Sequence, residues 1–286
     1  MTTADQTIHE RLLILIRWNH PISSIAGASR KMQVSRITGG LSLDFSFPSG
    51  FSFFEPYIKY HTRETLEVGG EAYAATNSEG GLLGIFIYDD FEKNGTIYTR
   101  EREVFDYFCS LKPFNFLFSE LRTGLENEVY DIYTLNLGDL AINHRFSYEI
   151  SAVEKDSIAE AERFMSQMHP DINRRWVRVA LENGERCFLV RLSSELAGVG
   201  WVSLVNGVGR LHSLYVKPQY RRLGIGEDIL NARLLWLKAN RVQSVFTEIA
   251  RSNIASANNV MKAQMKATAE VYQYYRKIEE KKKEKC

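Results

Sequence analysis

The fold is decided by the stretch Val216-Lys217-Pro218-Gln219-Tyr220-Arg221-Arg222-Leu223-Gly224-Ile225-Gly226. An apolar run from Leu211 to Val216 leads into it and predicts a strand, which the proline of the stretch ends. A helical pattern begins at its last glycine. Glycines let a backbone approach a ligand closely, and the start of a helix carries unpaired N–H groups and the positive end of the helix dipole. Together with the two neighbouring arginines, these features predict a site for an anion.

The spacing Arg-x-x-Gly-x-Gly, formed by Arg221, Gly224 and Gly226, resembles the pyrophosphate loop of the GNAT superfamily of N-acetyltransferases. That loop binds acetyl-CoA, and the strand before it separates from its neighbour to pair with the pantetheine arm. The resemblance therefore implies a set of residues that bind acetyl-CoA as co-substrate. These are Leu214, Tyr215, Val216, Arg221, Arg222, Leu223, Gly224, Ile225, Gly226 and Asn253. Asn253 matches an Asn that the family often has after the next strand, although an Asn before a helix is most often an N-cap.

Length and composition limit the classes of protein to which the chain can belong. A chain of 286 residues is long enough for two domains of about 150 residues each, and 44% apolar with 25% charged residues is typical of a globular protein. A net charge of +1 gives no general reason to expect nucleic acid or a membrane as partner. The three cysteines are far apart, which predicts neither a zinc site nor a disulfide framework and favours the cytoplasm. The apolar run Leu12–Ile16 is too short to span a membrane.

The second half of the chain predicts a complete domain at residues 146–278. Its apolar patterns follow the order β-α-(α)-β-β-β-α-β-α-β, which matches the GNAT fold over residues about 147–277. The expected fold class is therefore α/β with a mixed sheet, of the acyl-CoA N-acyltransferase type, in two tandem domains. Residues 279–286 form a charged tail, for which a solvated end is the ordinary interpretation.

The first half, residues 1–145, gives a weaker pattern. Leu41 to Phe47 alternate as in a half-buried strand, and residues 71–121 predict strand, strand, helix, strand. That order is similar to the middle of the GNAT fold, but Thr96–Arg102 stands where a glycine loop would be needed. Our hypothesis is a degenerate acetyltransferase-like domain that does not bind CoA. The alternative is an unrelated α/β domain.

The implied reaction is attack of an amine on the acetyl-CoA thioester, which needs a base for the amine. Many relatives place a glutamate where this chain has Arg210, and a guanidinium cannot act as a base at neutral pH. Strand alternation puts Arg210, His212, Leu214 and Val216 on one face, so His212 is one candidate base. Its alternative is a hydrogen-bonded, half-buried histidine. Glu248, on the next strand, is the other candidate, with an ion pair to Arg251 or Lys217 as its alternative.

The general acid is harder to assign. Many relatives carry a tyrosine in the last helix, but the matching position here is Val260. Tyr272 on the following strand is the candidate substitute, together with its neighbours Tyr274 and Tyr275. Aromatic side chains in a strand are more often packing residues.

Two functions remain open at this stage. The first is an acetyl-CoA-dependent N-acetyltransferase that acts on a small amine, an amino acid or a protein amine. The alternative is a non-catalytic module that binds or senses acyl-CoA. A Walker-type phosphate site and a metal site are not expected, since their motifs are missing. The acceptor site is expected near Met165–Arg178, with His169, Asp171 and Trp176 as lining residues. We expect one CoA per chain and a monomer or homodimer.

Overall fold

A computed structural model of the chain describes residues 23–24, 32–37, 55–67, 69–90, 93–124, 126–138, 142–168, 174–205 and 207–275. The strands in this part are β1 Ser23–Ser24, β2 Gln33–Ile37, β3 Glu71–Thr76, β4 Leu82–Asp89, β5 Asn94–Thr99, β6 Phe116–Ser119, β7 Glu128–Asn136, β8 Ile150–Ala152, β9 Arg186–Leu192, β10 Glu195–Val205, β11 Val208–Val216, β12 Ser244–Ala250 and β13 Lys266–Tyr275. The helices are α1 Glu55–Glu67, α2 Arg102–Leu111, α3 Ile158–Met168, α4 Arg174–Glu182, α5 Ile225–Ala239 and α6 Ile254–Lys262, with a 3-10 turn at Pro218–Tyr220.

All of these strands form one mixed sheet in the order β1-β2-β3-β4-β5-β6-β13-β7-β12-β11-β10-β9-β8. The last strand, β13, lies at its centre. Tyr272 of β13 is opposite Ser119 of β6 on one side and Val129 of β7 on the other, and both pairings are antiparallel. Strand β7 then pairs with β12, again antiparallel. A mixed α/β sheet of this kind confirms the expected fold class.

The two halves of the chain follow the same order around this centre. Strands β2 to β6 run outward on one side, and β8 to β12 do so on the other. Each side contains one parallel pair, β5 with β6 and β11 with β12, and a helix connects the two strands of each pair. The final strand of each half, β7 or β13, lies beside the other half's parallel pair. The halves have therefore exchanged their last strands, and neither sheet is complete by itself.

Helices cover both faces of the sheet. On one face, α1 packs through Ile58 on β3 and β4, while α3 and α4 pack through Phe164 and Val177 on β9 and β10. On the other face, α2 packs through Phe108 on β4 and β5, and α5 and α6 pack on β10 to β12. Helix α1 also packs against α4 and β10. Helix α1 of the N-terminal half thus contacts the C-terminal half on this face of the sheet.

Several predicted elements are confirmed and some are wrong. The second helix of the C-terminal half has the expected bounds, Arg174–Glu182. In the N-terminal half the order is strand, strand, strand, helix, strand, because Asn94–Thr99, to which no strand was assigned, forms β5. Strand β7, Glu128–Asn136, carries no clear apolar period, since most of its residues are only half-buried. The predictions for Leu12–Ile16, Leu41–Phe47 and the charged tail lie outside the described residues.

Within the described ranges, no helix combines the length and the apolar character that a membrane crossing requires. The boundary at residues 145 and 146 stays a prediction, because the sheet runs through both halves without interruption.

A chain that ends at Met265 should show no cooperative thermal transition. It lacks β13, so β6 and β7 each lose a partner strand, and the buried rings of Tyr272 and Tyr274 leave the core. A chain that ends at residue 278 keeps the strand and loses only the charged tail. It is the matched control, and its melting temperature should stay within about 2 °C of the full chain's. Cooperative unfolding of the shorter chain would show that each half closes its own sheet.

Candidate active site

Strand β11 separates from its parallel neighbour partway along its length. It pairs with β12 only from Val208 to Arg210, whereas β12 stays paired with β7 along its whole length. The remaining residues, Leu211 to Val216, continue as a strand that is held only by β10. Their edge facing β12 forms a cleft, and its backbone can pair with an extended ligand.

A β-bulge at Ser213 accompanies this separation. Val199 is opposite Tyr215 and Trp201 is opposite His212, so one residue of β10 faces two residues of β11. Ser213 has a φ of 47°, in the left-handed region that is uncommon for a residue other than glycine. A bulge of this kind bends a strand and increases its twist, which turns the end of β11 away from β12.

The bulge also corrects the predicted alternation of side chains. His212 lies on the α4 face, where its ring contacts Trp176. Beyond the bulge the order is inverted, so that Tyr215 packs on the α4 face while Leu214 and Val216 pack on the α5 face. The prediction that Leu214 and Val216 share a face with His212 is therefore wrong.

Arg233 of helix α5 stabilises the bulge from the α5 face of the sheet. Its side chain is buried, and Nη1 donates to the carbonyl oxygens of Trp201 at 3.0 Å and His212 at 3.2 Å. It fits beside Gly200, where a Cβ would lie 2.4 Å from Ile229 and 3.2 Å from the guanidinium carbon. Burial lowers the pKa of Arg233 to about 9, so the group stays charged at neutral pH. This cation satisfies carbonyl groups that the bulge takes out of the ladder.

The loop after β11 has the backbone of an anion cradle. Arg222 and Gly224 have φ values of 64° and 87°, and helix α5 begins directly after them. In the described part of the chain, the N–H groups of Ile225 and Gly226 have no backbone partner outside the helix, as expected for a first helical turn. Arg221 turns back onto the strand, because its Nε donates to the carbonyl oxygen of Val216 at 3.2 Å.

The base of the loop is fixed by an exposed pair of contacts to Glu195. The Nζ of Lys217 lies 2.7 Å from one carboxylate oxygen, and the hydroxyl of Tyr220 donates to the other. These hydrogen bonds, that from Lys217 first, lower the pKa of Glu195. The alternative ion pair between Glu248 and Lys217 is therefore wrong, since Lys217 pairs with Glu195.

Asp228, in the first turn of α5, anchors the segment that connects the two halves. It is 2% exposed, and its carboxylate accepts from the backbone N–H of Ser147 at 2.8 Å and of Tyr148 at 3.0 Å. The Nε2 of His144 lies 2.6 Å from the other oxygen. The Tyr148 hydroxyl in turn donates to the carbonyl oxygen of Leu223 at 2.9 Å. The connector thus ties the cradle to the N-terminal half.

The two asparagines near helix α6 have different roles. Asn253 is its N-cap, since its side-chain oxygen accepts from the N–H of Ser256 at 3.2 Å. This confirms the capping interpretation for an exposed residue. Asn259, which the sequence analysis did not single out, donates to the carbonyl oxygen of Gly226 at 3.1 Å. It joins α6 to the start of α5 and so holds the cradle in position.

A second group of residues lies on the α4 face, beside the cleft. His212 is half-buried, and its Nε2 lies 3.2 Å from Oε2 of Glu185, which is 4% exposed. The ring of Trp176 meets the His212 ring edge to face at 6.1 Å and packs on Trp201 at 4.8 Å. Of the predicted acceptor-lining residues, Trp176 lies beside His212, and its role stays a prediction, while His169 and Asp171 lie outside the described residues.

Glu248 is on the same face, but it is paired. The Nε of Arg210 lies 3.2 and 3.0 Å from its two carboxylate oxygens, and both side chains are about one-fifth to one-quarter exposed. Arg251, one of the two alternative partners, instead lies close to Asp131 of β7 and Glu270 of β13. Since its lone pairs face a guanidinium, Glu248 is better suited to orient Arg210 than to accept a proton.

The N-terminal half contributes His61 of α1 and Tyr98 of β5 to this group. The Nδ1 of His61 lies 3.4 Å from the Tyr98 hydroxyl. Burial, and after it the charge of Arg210, lower the pKa of His61 to about 4, although the charge of Glu185 acts in the opposite direction. Burial likewise raises the pKa of Tyr98, on which the charges of Arg210, Glu248 and Glu120 also act. Both halves therefore supply side chains to one buried polar cluster.

Tyr272 is not part of this cluster. It packs in the core on the opposite, α2 face of the sheet, and its hydroxyl donates to Glu270 at 2.6 Å. That hydrogen bond and burial raise its pKa to about 12. The prediction failed because β13 crosses to the centre of the sheet, which places Tyr272 two strands away from Glu248. The structure thus gives no support to a general acid at this position.

Several residues of the site went unnoticed in the sequence, namely His61, Tyr98, Glu120, His144, Glu185, Asp228, Arg233 and Asn259. One signal was present. Phe118-Ser119-Glu120 is similar to Phe246-Thr247-Glu248, and the two segments occupy equivalent strands. Among the described residues, no three His, Cys, Asp or Glu side chains are arranged to hold a metal ion.

With this geometry in place, comparison with known proteins identifies the class. Residues 150–261 match the model of the Acetyltransferase (GNAT) family. The C-terminal part of the chain is therefore a GNAT N-acetyltransferase domain, as the loop at residues 221–226 implied.

A curated relative agrees with this assignment. Over 120 residues the chain is 25% identical to the uncharacterized N-acetyltransferase YobR of Bacillus subtilis (strain 168). The match covers 41% of this chain and 48% of that protein, so it spans about half the length of the relative.

Solved structures extend the likeness in fold beyond that domain. A GCN5-related N-acetyltransferase from Sphaerobacter thermophilus aligns with a TM-score of 0.53 at 14% identity, over 71% of this chain and 79% of its own. A tandem GNAT protein from the clavulanic acid biosynthesis pathway aligns with a TM-score of 0.52 at 12% identity, over 72% and 83%. Each alignment covers more than either half of the chain, so the shared fold includes strands from both.

Replacing Asp228 with alanine should lower the free energy of unfolding by about 2–4 kcal/mol. The variant removes a buried carboxylate that accepts from the N–H groups of Ser147 and Tyr148, and each hydrogen bond to a charged group contributes about 1.5–3 kcal/mol. Glu227→Ala, in the same turn but half-buried, should change it by less than about 0.5 kcal/mol. Urea unfolding measures both. Equal effects would mean that the connector is not anchored through Asp228.

Proposed function

We propose that this protein is an acetyl-CoA-dependent N-acetyltransferase with one coenzyme site, in the C-terminal half, and an acceptor site between the two halves. The observation that carries the proposal is the separation of β11 from β12 beyond Arg210, directly before a glycine turn at a helix start. It provides a free strand edge for an extended amide chain and N–H groups for a pyrophosphate, and acetyl-CoA contains both groups.

The coenzyme fits the residues of this half step by step. The pyrophosphate would rest on the N–H groups from Arg222 to Gly226, where the helix dipole and the exposed side chain of Arg222 favour negative charge. The pantetheine arm would pair with the edge of Leu214 to Val216. The thioester would then lie near the bulge, within reach of the His212 face.

The N-terminal half lacks both features. Strand β5 extends only two residues, Tyr98 and Thr99, past its pairing with β6, against six residues in β11. It pairs with β4 without a shift in register, so it has no bulge. Helix α2 begins at Arg102, three residues after the strand ends, which leaves no room for a loop like Lys217–Gly224. This half therefore supports acceptor binding without a second coenzyme.

We assign His212 as the base that accepts the proton of the attacking nitrogen. The amine nitrogen forms a bond to the thioester carbon, His212 takes the proton that this nitrogen must lose, and the carbon–sulfur bond breaks. The imidazole then gives the proton to the CoA thiolate. His212 thereby takes the role of general acid that a tyrosine at the position of Val260 would have. Glu185, 3.2 Å from Nε2, would stabilise the transient imidazolium.

The acceptor is proposed to be a small amine rather than a lysine on a folded protein. Helix α1 packs against α4 and β10 over the face that carries His212, where Glu185 is buried and the other polar groups are half-buried. The aromatic ring of Trp176 and the carboxylate of Glu185 suit a cationic amine with an apolar body. The same face holds Arg210, which offers a guanidinium to any carboxylate on the acceptor.

Gly224→Val should weaken acetyl-CoA binding at least tenfold. Its φ of 87° strains any branched residue by about 1–2 kcal/mol and distorts the cradle. Gly207→Val is the matched control, because Gly207 has a φ of 80°, has open space around it and lies at the opposite end of β11. It should lose similar stability and keep its affinity. Calorimetric titration measures this, and equal loss in both variants would contradict a cradle at Gly224.

The activity itself is tested by titration and turnover. Acetyl-CoA should bind at one equivalent per chain, and a panel of small amines and amino acids should yield free thiol and the acetylated amine. Release of thiol without acetylated product does not count as transfer. Tight binding with no product from any amine would favour the alternative, a module that senses acyl-CoA, and two equivalents would overturn the assignment of a single site.

A further inference from the structure

The two halves carry matching residues at equivalent positions. The parallel pairings align Gly95 with Leu117 and Gly209 with Val245, so Gly95-Thr96-Ile97-Tyr98 is the counterpart of Gly209-Arg210-Leu211-His212. By the same register, Phe118-Ser119-Glu120 is the counterpart of Phe246-Thr247-Glu248. Glu120 is therefore the N-terminal equivalent of Glu248, and Tyr98 is the equivalent of His212.

The equivalent side chains also point to the same face of the sheet. In β5, Ile97 packs on the α2 face, whereas Tyr98 packs on the α1 face. In β11, Leu211 packs on the α5 face, whereas His212 meets Trp176 of α4. Because α1 and α4 cover the same side, Glu120 and Glu248 both face the polar cluster between the halves.

The two carboxylates differ in what neutralises them. Glu248 has the guanidinium of Arg210 at 3.0 Å. The position equivalent to Arg210 is Thr96, which carries no charge, and Oε1 of Glu120 is buried without a hydrogen-bond partner in the described part of the chain. Burial accordingly raises the pKa of Glu120 to about 7, and only the charge of Arg100 opposes this shift.

The surroundings of Glu120 connect it to the site. Its charge acts on Tyr98, whose hydroxyl lies 3.4 Å from His61 and also experiences the charges of Arg210 and Glu248. The charge of Arg100, before α2, acts on Glu120 directly. Tyr98 of β5 connects Glu120 to His61 of α1, Arg210 of β11 and Glu248 of β12, since all of these act on or contact its hydroxyl. Strand β13 contributes the apolar Val271 to this face.

We propose that Glu120, supplied by the half that binds no coenzyme, removes the proton from the acceptor ammonium before the amine attacks the thioester. This inference rests on the proposed function. The ammonium N–H bond breaks, its proton forms an O–H bond on the Glu120 carboxylate, and the neutral amine keeps the electron pair. The proton then leaves to solvent, which accounts for the one proton that the overall reaction releases. His212 handles the second proton during attack.

The Glu120 carboxyl is physically suited to remove a proton from the acceptor ammonium. An alkylammonium has a pKa of about 10.4, so almost none of it is neutral at pH 7. A base is most effective when its pKa lies close to the working pH. Glu248, held by Arg210, is positioned instead to orient that guanidinium. The two equivalent glutamates thus differ in their surroundings, because one has an arginine neighbour and the other has a threonine.

The test compares two amines in Glu120→Gln. With the best alkylamine from the panel, which is charged at pH 7, kcat/KM should fall about 100-fold or more. With a fluorinated alkylamine that is already neutral at pH 7, the fall should be about tenfold or less, since no ammonium proton must be removed. Affinity for acetyl-CoA should not change. A merely structural role would lower both rates equally, and that outcome would overturn the proposal.

Two further variants and one measurement complete the test. Glu120→Asp should recover part of the rate with the alkylamine, whereas Glu248→Gln should show no difference between the two amines. In the wild type, the Glu120 carboxyl binds a proton more tightly when folded, so stability should fall as pH rises from about 4.5 to 7. Glu120→Gln should remove that fall. Unchanged pH dependence would overturn the proposal.

Failure of the inference and failure of the function are distinguishable. If the wild type acetylates amines and Glu120→Gln does so equally well, the inference is overturned and the function stands. If the wild type binds acetyl-CoA but acetylates no amine, the function fails and the inference fails with it.

Discussion

The antiparallel pairing of β13 with both β6 and β7 is the interaction on which the structure depends. It closes the centre of a sheet that would otherwise end in two exposed edges, and it joins the middle and last thirds of the chain through backbone hydrogen bonds. The two halves are thereby fixed at one relative orientation. In that orientation α1 lies against α4, and the polar cluster between them receives His61 and Tyr98 from one half and Glu185, Arg210 and His212 from the other.

The coenzyme cradle depends on backbone features that need support from elsewhere. The bulge at Ser213 leaves carbonyl groups outside the ladder. The buried guanidinium of Arg233 donates hydrogen bonds to these groups. The helix start at Gly224 is held by Asp228 through the connector and by Asn259 through α6. None of these three side chains belongs to the glycine motif. The motif therefore forms a site only when several distant segments hold it in shape.

The two halves share one strand and helix order but differ in the features that a coenzyme site requires. Both halves have a parallel strand pair with a connecting helix, but only β11 has the bulge, the long free edge and the loop. The N-terminal half, with its shorter β5, retained the polar positions that face the cluster. Glu120 and Glu248 show the consequence most clearly, since the same side chain at equivalent places has different electrostatic neighbours.

What could be predicted followed the strength of local patterns. Helix Arg174–Glu182 and the elements around the glycine loop were predictable, because their apolar periods and turn residues are local properties. Strand β5 was missed because Gly95 and the adjacent polar residues interrupt its pattern, and β7 because it is half-buried on both faces in the middle of the sheet. The alternation along β11 failed at one residue, since a bulge shifts every later side chain to the other face.

The sequence by itself determined the fold class and the coenzyme cradle, because the arginine and glycine spacing between a strand and a helix acts through the local backbone. The tertiary structure alone decided the rest of the site. It moved Tyr272 into a distant core, paired Glu248 with Arg210 and brought Glu120, Tyr98 and His61 toward His212. These contacts depend on a strand exchange between segments more than 100 residues apart, and no local pattern encodes such a pairing. The glycine loop thus predicts an anion site from local sequence, and the pairing of the two halves decides which side chains surround His212.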